Sequence, residues 1–99
     1  MQRGRRGGSE SSRVRAIIQV LNSLPNTKCI KIHGGAYTET GTPDIIGCRE
    51  GRMFVLECKV GYNKPTKIQT HRLKQWAGAG AVAAVVHSAE EVLECLGKR

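Results

Sequence analysis

No apolar run in this 99-residue chain approaches the length of a membrane-spanning helix; the stretch Ala77 to Val86 is short and interrupted by glycine. Met1 to Gly8 lacks the apolar core of a signal peptide. Cys29, Cys48, Cys58 and Cys95 show no paired metal-ligand spacing, which argues against a structural zinc site. They read as buried, reduced thiols of a cytosolic protein rather than as two disulfides. No internal repeat or low-complexity tract appears beyond the N-terminal tail, and that tail holds no acid before Glu10.

Basic residues dominate instead. Sixteen Lys and Arg against eight Asp and Glu give a net charge of +8. Arg3, Arg5 and Arg6 stand among glycines in a segment, residues 1–8, that reads as a disordered basic arm; residues 9–99 read as one domain. The body stays basic without those three arginines. Such a balance points to a polyanion, most often nucleic acid, although solubility alone is the plainer explanation. A chain this short buries a modest core, so association of copies would help it.

The most informative segment runs from Asp44 to Lys59. Ile45-Ile46-Gly47-Cys48-Arg49 and Arg52-Met53-Phe54-Val55-Leu56 flank Glu50-Gly51, which reads as a two-residue hairpin turn with glycine supplying positive φ. That turn sets Arg49 opposite Arg52. Working outward pair by pair, it sets Asp44 opposite Glu57. Alternation puts Lys59 on the Glu57 face. Three ionisable groups then converge at the hairpin's open end, between strands that are apolar on both faces. Opposed residues have Cβ atoms roughly 4.5–5.5 Å apart, and like charges there repel. Either one carboxylate takes up a proton, or a cation sits between them, or the end frays into water and the charges are simply solvated. A cation in that place would be a hard divalent ion with oxygen ligands, Mg²⁺ or Mn²⁺.

Around the hairpin the pattern predicts α-β-β-β-α-β-α. Helix 1 spans Ser9 to Leu24, with Val14, Ile17, Ile18, Leu21 and Leu24 at helical spacing and Glu10 one turn before Val14. That acid either complements the helix dipole or aims a third carboxylate at the site. Cys29 to His33 alternates as a strand. Gly34 to Pro43 and Gly61 to Pro65 are loops carrying Tyr37, Tyr62 and Lys64. Thr66-Lys67-Ile68-Gln69 fits a capping box opening a second helix, whose inward face is Gln69, Leu73, Trp76 and Ala77. Gln69 either caps that helix or points toward the hairpin. Ala81 to His87 is a β-branched strand, and Ser88-Ala89-Glu90-Glu91 caps a last helix through Leu96. Strand, helix and strand form a crossover, right-handed if the strands are parallel. The resulting mixed four-stranded sheet is expected to be covered on both faces.

Gly41-Thr42-Pro43-Asp44, then Glu57-Cys58-Lys59, then a helical Gln69 resembles the Pro-Asp…(Asp/Glu)-x-Lys nuclease superfamily, and more narrowly the virus-type replication-repair nuclease (VRR-NUC) domain. That domain is found alone in phage and bacterial proteins and at the C-terminus of a Fanconi-anaemia-associated nuclease. The resemblance spans Glu10 to about Glu91 and implies a restriction-endonuclease-like core. It implies an Mg²⁺- or Mn²⁺-dependent phosphodiesterase acting on DNA in the cytoplasm of a bacterium or phage-infected cell, with no small-molecule cofactor. Asp44 and Glu57 would ligate the metal with the backbone carbonyl of Cys58; Glu10 would ligate it directly or through water. Lys59 would orient or deprotonate the attacking water, and Gln69 would stand near the site. Stand-alone members imply a homodimer that cuts branched DNA such as four-way Holliday junctions.

Softer candidates surround this set. Tyr37 and Tyr62 either stack on exposed bases or are ordinary surface tyrosines of their loops. Lys64, Lys67, Arg72 and Lys74 would contact phosphates, as would the arm. His33 would line the site or be an ordinary loop-edge histidine; His71 and His87 carry no functional signal. Two rival readings remain, a nucleic-acid-binding module that keeps the scaffold without catalysis and a structural basic protein with no metal affinity. Deleting Arg3, Arg5 and Arg6 is expected to weaken DNA binding and flatten its salt dependence, the slope changing by up to about 0.9 per lost phosphate contact on duplex DNA. Affinities measured across a salt series check this; an unchanged slope would show that the arm does not touch DNA.

Overall fold

The computed structural model of the chain describes residues 10–97, without the side chain of Glu10. The basic arm with Arg3, Arg5 and Arg6 lies outside the described residues. The elements run α1 (Glu10–Asn22), β1 (Thr27–Lys31), β2 (Ile45–Arg49), β3 (Arg52–Cys58), α2 (Lys67–Gly78), β4 (Val82–Val86) and α3 (Ala89–Gly97), the order expected. Among the described residues no helix is long and apolar enough to cross a membrane.

The hairpin is the organising element. Glu50 and Gly51 have φ of 50° and 84°. Positive φ at both central residues is the turn whose twist matches paired strands, so the register is fixed from the tip. Arg49 faces Arg52 and Ile45 faces Leu56, as the turn chemistry requires. β1 adds antiparallel to β2, and β4 adds parallel to β3, giving the order β1-β2-β3-β4 with α2 as the crossover. β1 begins two residues earlier than its alternation suggests and ends at Lys31. Asn26, at φ 54°, turns the chain out of the α1 region, and its carbonyl accepts the Glu50 N–H at 2.9 Å. Pairing therefore starts at Thr27 opposite Arg49. Beyond Lys31 one link remains, the Ile32 N–H donating to the Asp44 carbonyl at 2.7 Å.

β3 is one of the two inner strands and is buried from Phe54 through Cys58. Phe54, Leu56 and Cys58 join Val14, Ile17 and Leu21 of α1, Val92 of α3, Cys29, Ile45 and Val86 in one cluster. Each large apolar side chain there contributes roughly 1.5–3 kcal/mol by leaving water. Val55 and Glu57 take the opposite face, where α2 packs on β3 and β4. That cover is uneven: Ile30 of β1 is 53% exposed and Met53, at the start of β3, is 36% exposed, so the expectation of a sheet covered on both faces fails there. The twelve residues of α2 lie over the β3–β4 pair that they connect, and cannot also shield the far strands.

The cysteines divide. All four are free; Cys29 and Cys58 are buried, Cys95 is half-buried and Cys48 is exposed, contrary to the expectation of uniformly buried thiols. Burial pushes the Cys29 thiol up, with Lys28 acting weakly in the other direction. Cys48 falls on the uncovered face, opposite Lys28 and Met53.

Gly47 permits the sheet to close on this core. A Cβ there would meet Cys29 Cβ at 2.5 Å, the Lys28 carbonyl oxygen at 2.6 Å and Phe54 Cζ at 2.6 Å. Backbone cannot step aside as a flexible side chain can, so Gly47→Ala is expected to destabilise by about 2 kcal/mol, within the usual range for overpacking. Thermal unfolding should show a fall in Tm of about 10 °C; an unchanged Tm would contradict the close approach.

Candidate functional site

Asp44 follows a loop whose last turn is built to place it. Gly41 has φ 82°, and a Cβ there would lie 2.9 Å from Ile68 Cγ1 and 3.0 Å from the Ile68 carbonyl, so the loop passes against the start of α2 where only glycine fits. Pro43 is buried. Arg72 of α2 ties the same loop down: Nε donates to the Thr40 carbonyl at 2.9 Å and lies 3.4 Å from Glu39 Oε1, while Nη1 donates to Gln75 Oε1 at 2.9 Å. The Asp44 carbonyl is held by β1 through Ile32, and its carboxylate Oδ2 accepts the Cys58 N–H at 2.8 Å. Backbone and side chain thus join three strands at one end of the sheet.

Glu57 stands one pair beyond Ile45–Leu56 in the hairpin register, opposite Asp44. It is 1% exposed, the one buried charged residue among those described. Lys59 Nζ lies 3.4 Å from Glu57 Oε2, with 13% of its own side chain exposed. The Lys59 N–H donates to the Val86 carbonyl at 3.0 Å, so β4 fixes the backbone that carries the ammonium. Asp44 thus bonds to the backbone between Glu57 and Lys59, and Lys59 pairs with Glu57, so the three groups singled out in the sequence lie at the same end of the sheet.

Other expected residues fall differently. Glu10 is the first residue of α1, the end from which the buried Val14–Ile17–Leu21 stripe runs; its side chain lies outside the described residues. Gln69 closes the capping box: Thr66 N–H donates to its Oε1 at 2.9 Å, and its own N–H donates to Thr66 Oγ1 at 3.2 Å. Of the two roles open to it, helix capping is the one the side chain takes. On the inward face of α2, Leu73 is buried and Trp76 half-buried, but Ala77 is exposed. Tyr37 and Tyr62 are 102% and 100% exposed, one on each loop flanking the carboxylates. Lys64, Lys67, Lys74, His33 and His71 are exposed. A groove lined by Lys31, Thr38, Glu39, Thr42 and Asp44 opens on the β1 side.

One pair is absent from the sequence reading. His87 donates its backbone N–H to Glu91 Oε1 at 2.8 Å, and its Nδ1 lies 3.0 Å from the same oxygen. Ser88-x-x-Glu91 is legible as a capping box, and Ser88 Oγ does accept the Glu91 N–H at 3.2 Å. Glu91 reaches past Ser88 to the preceding residue, which spacing alone does not specify.

No family model matches the sequence, and no curated protein matches it. Solved structures do match in fold. A VRR_NUC domain superposes with a TM-score of 0.72 at 21% identity, over 89% of this chain and 94% of that one. A Holliday junction resolvase from the archaeal hyperthermophile Archaeoglobus fulgidus superposes with a TM-score of 0.62 at 18% identity, over 79% of this chain and 67% of the other. At such identities the likeness is one of fold, and the restriction-endonuclease-like sheet anticipated from the sequence is the one found.

Glu57 and Lys59 form a buried ion pair, and losing one partner costs more than losing both. Lys59→Met is expected to destabilise by about 3 kcal/mol, whereas Glu57→Gln with Lys59→Met recovers most of that loss. Chemical denaturation of the single and double variants checks this. Additive effects would contradict a pair that acts as a unit.

Proposed function

We propose that this chain is a divalent-metal-dependent DNA endonuclease, hydrolysing phosphodiester bonds in branched DNA such as four-way junctions and working as a homodimer. The observation that carries the reading is the Asp44 carboxylate seated on the Cys58 N–H, between Glu57 and Lys59, with Lys59 paired to Glu57 at the open end of the hairpin. Its context is a fold shared with a VRR_NUC domain and a Holliday junction resolvase.

The donor set fits a hard cation. One ammonium stands against two carboxylates, and the remaining negative charge lies where Glu57 is almost wholly removed from water. Carboxylate and carbonyl oxygens are the ligands Mg²⁺ and Mn²⁺ prefer. Asp44, Glu57 and the backbone carbonyl of Cys58 would hold the ion, with Glu10 completing the set directly or through water. Among the described residues no three His, Cys, Asp or Glu side chains gather around one point, so a backbone or solvent oxygen is required. When bound, such an ion polarises a phosphoryl oxygen and makes water a better nucleophile.

The chain's own residues supply the rest. Lys59, steadied by Glu57 and by the Val86 carbonyl, presents an ammonium that offsets charge gathering on the phosphate and orients or deprotonates the attacking water. The Cys58 N–H keeps the Asp44 carboxylate from rotating away. Tyr37 and Tyr62, exposed on the flanking loops, offer stacking faces to unpaired bases, and Lys64 and Lys67 offer charge to phosphates. Arg72 and Gln69 act indirectly, one bracing the Asp44 loop and the other starting α2. Two copies supply the two centres that paired cuts in a symmetrical junction need.

Labelled linear, nicked, flap and four-way-junction DNA incubated with Mg²⁺ or Mn²⁺ tests the reading. Wild type is expected to cut the junction, Asp44→Ala to abolish cutting, and Lys59→Ala to slow it at least about 100-fold. Binding in Ca²⁺ should change little in either variant. A wild type that binds all four DNAs and cuts none with either metal would replace this reading with the non-catalytic binding module.

A further inference from the structure

Beside the carboxylates, on the β4 side, lies a second pocket of about 460 Å³. Its walls are Tyr62, Asn63 and Lys64 from the β3–α2 loop, Val85 and His87 from the end of β4, and Glu91 from α3. A volume of this order suits one small ligand. The pocket adjoins the proposed catalytic centre. Val85 is the register partner of Glu57, and the Val86 carbonyl receives the Lys59 N–H.

His87 is fixed on three sides. Its N–H and Nδ1 both meet Glu91 Oε1, and its carbonyl accepts Arg13 Nη1 at 2.8 Å. The backbone hydrogen bond from His87, and then the ring hydrogen bond, hold the Glu91 carboxyl below its ordinary value, so it stays ionised as an acceptor. A carboxylate in that place sets the ring with its proton on Nδ1. Nε2 then remains for a ligand, with no hydrogen-bond partner among the described residues. At the rim, Tyr62 is fully exposed, so burial gives no account of an aromatic ring at this position. Lys64, two residues on, is exposed beside it.

We propose that this pocket receives one unpaired nucleotide of the DNA strand being cut. The base stacks on Tyr62, its edge meets Asn63 and His87 Nε2, and its phosphate pairs with Lys64. The proposal rests on the nuclease reading for the identity of the polymer, and deepens it by naming the feature recognised. A paired base is stacked on both faces and has its edge taken by its complement; an unpaired base beside a branch offers face and edge together. Selection for a branch would then come from the nucleotide that fits here, while the arm and surface lysines contact any backbone.

Two DNA hairpins closed by the same non-nucleotide linker, one fully paired and one carrying a single-nucleotide bulge, separate the possibilities by fluorescence anisotropy in Ca²⁺. Wild type is expected to prefer the bulged DNA about tenfold, the scale of one base stacked on an aromatic ring. Tyr62→Ala should bring the ratio close to one with little change on the paired hairpin. The ring is fully exposed, so the fold is unaffected. His87→Gln, which leaves the Glu91 bond to the backbone N–H in place, should lower the ratio by about threefold. A deoxynucleoside monophosphate should compete for the preference and inorganic phosphate should not. Equal affinity of wild type for both hairpins, equal weakening of both by Tyr62→Ala, or competition by phosphate alone would overturn the proposal. Junction cutting is scored on the same preparation. A bulge preference without cutting removes the nuclease reading and keeps the pocket; cutting without a preference removes the pocket alone.

Discussion

The bond from the Cys58 N–H to the Asp44 carboxylate is the constraint on which the rest of the site depends. It crosses from the end of β2 to the end of β3 and fixes an acid beside Glu57, which has almost no contact with water. Lys59 sets its ammonium 3.4 Å from the Glu57 carboxylate, at the same end of the sheet. Such a cluster persists because the hairpin leaves it no freedom. The turn at Glu50-Gly51 sets the register, the register sets the faces, and the apolar face of β3 is anchored by α1 and α3. The packed face of β3 thereby carries the buried Glu57 and its ion pair on the opposite face.

Neighbouring elements brace Asp44 and Lys59. α2 braces the Asp44 loop twice, through the close passage of Gly41 at Ile68 and through the Arg72 guanidinium. The Thr66–Gln69 capping box sets where that helix starts, and so where both braces stand. β4 fixes Lys59 by one backbone bond and brings His87 and Glu91 alongside. Grooves consequently open on both sides of the carboxylates, one under the Tyr37 loop and one under the Tyr62 loop. An exposed tyrosine ring stands on each of the two loops.

What was legible in the sequence was what local rules decide. Two residues at the tip of a hairpin determine every pair above them, so Asp44, Glu57 and Lys59 could be brought together on paper. Thr66 and Ser88 announce helix starts in the same local way. Choices made by tertiary neighbours were hidden. Whether Gln69 caps or points inward depends on the Thr66 backbone, and capping prevails. Arg72 reads as one more surface cation until the Thr40 carbonyl and Glu39 are placed beside it. The start of β1 depends on Asn26 receiving a bond from the hairpin tip. The exposure of Ile30, Cys48 and Met53 follows from where α2 comes to rest, which alternation along a strand does not encode.

On the proposed reading, this hairpin end holds a divalent cation. Crystals grown with Mn²⁺ and measured at a wavelength where manganese scatters anomalously address it most directly. A peak is expected within about 2.2 Å of carboxylate oxygens from both Asp44 and Glu57 and of the Cys58 carbonyl. Ordered protein with no manganese at that point, or manganese bound only elsewhere on the surface, would contradict the account.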